Sequence, residues 1–103
     1  MADSRIAVVA KLKAKPGREN ETRATLLGMV APSRADKGCI RYDLHQGTDD
    51  PATFLFIETW ASRADLEAHL AMPHVQDPLS RSDELLAAPT EVTVARMISS
   101  PAE

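Results

Sequence analysis

Hydrophobic and polar residues alternate along several short stretches of the chain, as in strands that bury one face. In Ile6–Lys13, apolar residues take every second position from Ile6 to Leu12, while Lys11 and Lys13 fall on the opposite side. Turn-forming residues bound these stretches, including the Lys15-Pro16-Gly17 segment after the first. The pattern predicts four strands: Ile6–Lys13, Cys39–Gln46, Thr53–Trp60 and Val92–Ile98.

Two segments between these strands repeat apolar residues at helical spacing. The first, Arg18–Val30, contains no proline, and Pro32 is predicted to end it. The second helix is predicted to begin after Ser62, whose hydroxyl is placed to cap it, with Asp65 three residues later. Pro73 is predicted to end this second helix.

The order of the predicted elements indicates the fold class. Val75–Leu86 is predicted to be a further helical stretch that breaks at Pro78, and the second strand is predicted to place Ile40, Tyr42 and Leu44 on one face. The resulting order, β-α-β-β-α-(α)-β, is the split βαβ order of an α+β, ferredoxin-like sandwich. We therefore expect one antiparallel sheet with helices on one face.

The third predicted strand is apolar on both faces. Phe54, Phe56 and Trp60 point one way, whereas Leu55 and Ile57 point the other. Helices on one side of the sheet can cover only one of these faces, and an exposed apolar sheet is a liability. We expect the second face to pack against a second copy of the chain in a twofold homodimer.

Length, charge and cysteine content narrow the class of protein. The 103 residues predict a single domain spanning residues 1–103, and residues 99–103 form a small polar tail that we expect to be loose. The net charge is −3, which leaves no surplus of basic residues to bind a phosphate backbone, so we do not expect a nucleic-acid partner. One cysteine, Cys39, and no long apolar segment predict a cytoplasmic protein with no membrane partner.

Familiar cofactor and nucleophile motifs are absent from the sequence. It contains no glycine-rich nucleotide-binding motif and no G-x-S-x-G elbow, and Cys39 is predicted to be a small core residue rather than a nucleophile. His69 and His74 are five positions apart, about 140° around a helix, with Pro73 between them. This spacing differs from the i, i+4 pair of a zinc helix, so we expect neither a metal nor another cofactor.

His69 is the candidate with two open interpretations. It shares a helix face with Leu66 and Leu70, which are predicted to face the sheet. It is either a half-buried histidine that packs against the core or a base that accepts a phenolic proton, since imidazole titrates near neutrality.

The inner face of the third strand offers a lining for a flat ligand. Trp60, Phe54 and Phe56 would form apolar walls there, although core packing accounts for them equally well. Glu58 lies on the same face and needs a partner once it is buried. We expect that partner to be one of Arg34, Arg41 and Arg96.

Several motifs occur together, in an order that resembles a known family. They are Lys15-Pro16-Gly17, Ser33-Arg34, Gly38-Cys39, Glu58-Thr59-Trp60, Leu66-Glu67-Ala68-His69-Leu70 and Met72-Pro73-His74. Over Ile6–Ile98, the chain resembles the antibiotic biosynthesis monooxygenases, and within them the quinol monooxygenases. The resemblance implies a dimeric α+β barrel with a pocket between sheet and helices, and oxidation of a phenolic or quinol substrate by O2 without metal, flavin or haem. It also implies catalytic roles for His69 and His74.

Two other functions stay open at the level of sequence. One is a dimeric protein that binds small molecules, or acts in stress, without turnover. The other is an isomerase-like relative that acts on a small carbonyl compound. Haem degradation is least favoured, because that branch of the family carries an asparagine on its first strand and Ile6–Lys13 contains none.

Overall fold

A four-stranded antiparallel sheet organises the computed structural model, which describes residues 4–99. Its strands are β1 (Ile6–Lys13), β2 (Cys39–Gln46), β3 (Thr53–Trp60) and β4 (Glu91–Arg96), in the spatial order β2-β3-β1-β4. This arrangement confirms the predicted α+β, ferredoxin-like fold, and the first three strands have the predicted bounds. The fourth ends two residues earlier than predicted, and residues 100–103 of the predicted loose tail lie outside the described residues.

Five short helices connect the strands within residues 4–99, and three prolines lie inside two of them. The helices are α1 (Glu19–Leu27), α2 (Val30–Arg34), α3 (Arg63–Leu70), α4 (Pro73–Leu79) and α5 (Ser82–Leu85). The stop predicted at Pro32 is wrong, because α1 ends at Leu27 and Pro32 lies in the first turn of α2. The stop predicted at Pro73 is confirmed, because α3 ends at Leu70 and Pro73 opens the next helix, α4. The first turn of a helix tolerates proline because its N–H groups have no partner within the helix. Pro78 likewise lies inside α4, one residue before its end, where a break is predicted.

The predicted cap of α3 is confirmed. Ser62 is extended, and its hydroxyl oxygen accepts a hydrogen bond from the backbone N–H of Asp65 at 3.2 Å. This bond satisfies one of the N–H groups that a helix start leaves without a partner. It fixes the start of α3, and with it the helical phase that points His69 toward the sheet.

The core lies between the sheet and the helices. Val8 and Phe56 are buried on this inner face, together with Phe54 and Trp60, as the alternation in β1 and β3 predicts. On β2 the prediction fails for Ile40, which is 55% exposed. The pairing of β2 with β3 shifts between Cys39 and Arg41. Ile40 is therefore the extra residue of a bulge, and its side chain no longer points inward.

The outer face of the sheet carries apolar side chains, and none of the helices within residues 4–99 covers it. Val9 is 43% exposed and pairs with Ile57 on β3, which is half-buried, as is Leu55. All six residues of β4 are exposed. Within residues 4–99, no helix has the length and apolar character needed to cross a membrane.

Candidate functional site

A cavity of about 160 Å³ lies between the inner face of the sheet and the helices. Its wall is mostly apolar, with contributions from β1, β3, β4 and the helices α1, α3 and α4. The side chains with polar atoms on this wall are those of Tyr42, Glu58, His69 and Thr90. An apolar cavity with few polar groups is typical of a small-molecule site.

His69 reaches this cavity from α3. Leu66, one turn earlier, is buried at 3% exposure and His69 at 2%, whereas Leu70 is 46% exposed and lies on the cavity wall. The Nδ1 atom of His69 lies 2.8 Å from Oδ2 of Asp36. His69 is therefore held on one side by a carboxylate, while its ring forms part of the cavity.

The same oxygen of Asp36 also binds His74. Nε2 of His74 lies 2.7 Å from it, and the two imidazole rings are 6.0 Å apart between centroids. Met72 adopts an extended conformation between α3 and α4, which turns the chain so that the start of α4 faces Asp36. The two histidines that the family resemblance implicates thus meet at a third residue.

Asp36 is the functional candidate that sequence reasoning missed. It lies between α2 and β2, where its backbone N–H donates to Ser33 and its carbonyl accepts from Cys39, each at 3.1 Å. Its side chain is 8% exposed. An aspartate in a connecting segment resembles any turn residue in sequence, and only its position between two motifs of the family pattern singles it out.

The pKa shifts of Asp36 and His69 indicate where the protons of this cluster lie. Burial alone would raise the pKa of Asp36, but hydrogen bonds from His69 and His74 outweigh it and lower that pKa. Burial lowers the pKa of His69, although Asp36 opposes this effect. An ionised carboxylate only accepts hydrogen bonds, so Nδ1 of His69 carries a proton and the neutral ring keeps its lone pair on Nε2. Nε2 has no hydrogen-bond partner among the described residues.

Trp60 supports the cavity from behind. Its ring lies 4.4 Å from that of His69 between centroids, and it is 0% exposed. Tyr42 packs edge-on against the same histidine at 5.4 Å. Phe56 lines the cavity, whereas Phe54 and Trp60 do not, so these two residues position its walls rather than form them.

Glu58 has a partner that the sequence did not predict. Its Oε1 atom accepts a hydrogen bond from Nε1–H of Trp60 at 2.8 Å. The expected ion pair with Arg34, Arg41 or Arg96 is wrong, because Trp60 is the one hydrogen-bond partner of Glu58 among residues 4–99. Arg34 and Arg41 instead bind Asp43 on the surface, at 2.9 and 2.6 Å. Arg41 follows the bulge in β2 and points outward, and Arg34 is exposed at the end of α2.

Asp36, His69 and His74 also form a group of residues that could hold a metal ion. Their ligand atoms lie within 4.8 Å of one another, so the two histidines converge although their spacing is not that of a zinc helix. The separations of 2.7 and 2.8 Å are hydrogen-bond lengths. Two donors on a tetrahedral ion with bonds of about 2.0–2.1 Å would lie about 3.3 Å apart. An ion would therefore have to displace both protons and spread the cluster.

Cys39 behaves as the sequence predicts. It is half-buried and packs against the core. Burial raises the pKa of its thiol, helped by the charges of Glu58 and Asp36. The thiolate that a nucleophile requires is therefore disfavoured.

The chain resembles known proteins in sequence. The family model described as antibiotic biosynthesis monooxygenase matches residues 5–78. "Putative monooxygenase Rv0793" of Mycobacterium tuberculosis is 37% identical over 91 residues, which cover 88% of this chain and 89% of that protein. "Putative monooxygenase YcnE" of Bacillus subtilis is 32% identical over 87 residues, 84% of this chain and 92% of that protein. An uncharacterized Synechocystis protein, sll1783, is 33% identical over 96 residues, 93% of this chain, but the match spans only 65% of that relative's length.

Solved structures share the fold over nearly the full length. The structure of Rv0793 from Mycobacterium tuberculosis has a TM-score of 0.89 at 32% identity and covers 96% of this chain and 100% of its own. The crystal structure of PA3566 from Pseudomonas aeruginosa has a TM-score of 0.88 at 31% identity, with coverage of 93% and 96%. Together with the family match, these similarities extend over the elements that carry Asp36, Glu58, His69 and His74.

Proposed function

Because this chain belongs to the antibiotic biosynthesis monooxygenase family, we propose that it oxidises a quinol or related phenolic ring with O2, without metal, flavin or haem. The observation that carries the proposal is the state of His69, which lines an apolar cavity. Its Nδ1 is bound to Asp36, while its Nε2 has no hydrogen-bond partner among residues 4–99. Two relatives named as monooxygenases agree with this reaction class.

The chemistry requires few protein groups. A deprotonated quinol is electron-rich enough to reduce O2 itself. One oxygen atom of O2 replaces a ring hydrogen, the other leaves as water, and the substrate supplies all four electrons, so that a quinol becomes a hydroxylated quinone. The protein has to accept the proton, hold the ring and exclude bulk water.

His69 is the base in this proposal. Its Nε2 accepts the proton of a ring hydroxyl, and the nearby Asp36 carboxylate stabilises the imidazolium that forms. His74 has a secondary role, because its Nε2–H donates to the same oxygen of Asp36 and holds that carboxylate in place. Asp36 is thus a positioning residue for the base.

The composition of the wall favours an aromatic ring over a small polar carbonyl compound. Phe56 contributes an aromatic face, and most of the remaining wall is aliphatic. Phe54 and Trp60 hold this lining from behind, and Glu58 is the second acidic or basic side chain that reaches the cavity. A substrate for the isomerase-like alternative would need more polar partners than these.

The proposal includes a cytoplasmic homodimer. The apolar outer face, with Val9 and Ile57 paired on neighbouring strands, supports burial against a second sheet. The thiol of Cys39 is free, which suits a reducing compartment.

Oxygen uptake by purified protein treated with a chelator tests the reaction. We expect consumption of O2 with a simple hydroquinone above the rate of its autoxidation, and one labelled atom from ¹⁸O2 in the quinone product. Metal and flavin contents far below one per chain should accompany this activity. Loss of activity on chelation, with recovery on adding back a metal, would contradict the cofactor-free mechanism. A rate no higher than autoxidation across several quinols would contradict the reaction itself.

A further inference from the structure

Glu58 is a buried carboxyl group with only one of its two oxygens bound. Oε1 accepts the indole N–H of Trp60 at 2.8 Å, while Oε2 has no hydrogen-bond partner among the described residues and is not sealed among protein atoms. The residue is 6% exposed and lines the cavity, so Oε2 faces that space. An oxygen that opens onto an apolar cavity and has no partner among residues 4–99 is available to bind a polar atom of a ligand.

The surroundings of Glu58 favour its neutral form. Burial raises the pKa of this carboxyl group, and the hydrogen bond from Trp60 opposes the effect only in part. A neutral carboxyl group carries an O–H donor beside its acceptor oxygen. In a largely apolar cavity, an oxygen atom of the substrate is the partner that would satisfy this group.

Glu58 and His69 are arranged around one indole ring. His69 lies 4.4 Å from Trp60 between ring centroids, and Glu58 binds the N–H of the same ring. Both side chains line the cavity, so a ligand inside it can bind two different hydrogen-bonding groups. A cavity of about 150 Å³ holds a benzene ring, and this one measures about 160 Å³. One six-membered ring with small substituents therefore fits in it.

We propose that Oε2 of Glu58 binds a second oxygen of the substrate, so that the cavity selects a single aromatic ring with two oxygens over one with a single hydroxyl. This inference rests on the proposed function in one respect, namely that His69 takes the first hydroxyl. A site built to hydrogen-bond a substrate hydroxyl discriminates strongly against an analogue without it, because the polar group of the protein is then left unpaired.

Anaerobic binding measurements test this selectivity without requiring turnover. Hydroquinone and 4-methylphenol have nearly the same size and differ by a hydroxyl in place of a methyl group. Ligand-observed NMR titrations under argon should give at least about tenfold tighter binding of hydroquinone to the wild type. In Glu58→Leu this preference should disappear, whereas Glu58→Gln, which keeps a donor and an acceptor, should retain most of it.

Control variants distinguish a failure of the role inferred for Glu58 from a failure of the proposed function on which it rests. Glu67→Gln, at an exposed position of α3, should leave the preference unchanged, and circular dichroism should show that each variant is folded. Equal binding of the two ligands to the wild type, or a preference that survives Glu58→Leu, would overturn the role of Glu58 even if quinols are oxidised. A preference that depends on Glu58, without oxidation of hydroquinone in air, would overturn the proposed function and leave the binding role standing. Absence of hydroquinone binding at millimolar concentration would overturn the inference.

Discussion

Asp36 and His69 are 33 positions apart in the chain, and yet their side chains lie 2.8 Å apart in the core. The carboxylate fixes which nitrogen of the imidazole carries the proton. As a result, the other ring nitrogen, Nε2, keeps its lone pair. This relationship turns a buried histidine, which packing alone could explain, into a candidate base.

Replacement of His69 distinguishes a base from a packing residue. If it is the base, His69→Gln should lower the rate of quinol-dependent oxygen uptake by about 10² to 10⁴. The wild-type rate should rise with pH through an apparent pKa below 6.5, because burial lowers the pKa of His69, and the variant should lack this step. His45→Gln, on an exposed position of β2, is the matched control. Unchanged oxygen uptake with a lowered melting temperature would leave His69 with a packing role only.

Replacement of Asp36 should change the position of the proton on His69. The amide of Asp36→Asn can donate to Nδ1, which would move the ring proton to Nε2 and remove the base. We expect a loss in kcat of about 10² to 10⁴, with a smaller effect on KM. Nitrogen-15 NMR of the imidazole ring should report the change of tautomer, which a purely structural role of Asp36 would not produce. The control Asp49→Asn, at an exposed turn position, should alter neither kcat nor the tautomer of His69. If the tautomer is the same in wild type and in Asp36→Asn, the role of Asp36 in placing the proton is refuted.

The pH dependence of stability should reveal the buried carboxyl of Glu58. Its pKa in the folded protein is above the ordinary value of 4.5 because of burial. The folded state therefore binds more protons than the unfolded state between these two pKa values, and stability falls as pH rises through that window. Glu58→Gln should remove this fall, so the free energy of unfolding of the variant relative to wild type should be larger at pH 8 than at pH 4. Urea denaturation at both pH values measures it, and parallel pH profiles would contradict the prediction.

Alanine substitutions at two glycines with positive φ should distinguish the cost of backbone strain from the cost of a steric clash. Gly17 (φ 83°) has open space where a Cβ would project, whereas a Cβ at Gly38 (φ 80°) would collide with the side chain of Asp65. We expect Gly17→Ala to cost about 1–2 kcal/mol in the free energy of unfolding and Gly38→Ala to cost more. Denaturant titrations of both variants give the comparison, and equal losses would show that Asp65 moves aside without cost.

The outer sheet face predicts self-association. Sedimentation velocity at micromolar concentration should give twice the chain mass of 11.2 kDa, with an interface on the order of 2,000 Å² in total. Ile57→Lys should shift the population toward monomer, because it places a charge in the centre of that face. Glu67→Lys, on the helical side, should leave the dimer intact. A stable wild-type monomer at this concentration would contradict the proposed homodimer.

Local patterns in the sequence were sufficient for the elements that depend on neighbouring residues. The alternation of Ile6–Lys13 and Thr53–Trp60 predicts the strands and their buried faces, because successive side chains of a strand point to opposite sides. Ser62 predicts its own cap, since the donor it binds is only three residues away. The order of these elements then leaves the ferredoxin-like topology as the natural solution.

Other features required the tertiary structure, because they depend on where distant segments meet. The bulge that turns Ile40 outward arises from the pairing of β2 with β3. Nothing in the sequence ties Asp36 to α3, or Glu58 to the indole rather than to an arginine. The types of residue in the site could be read from the chain, but their partners could not, since hydrogen bonds between side chains depend on distances that only the packed sheet and helices determine.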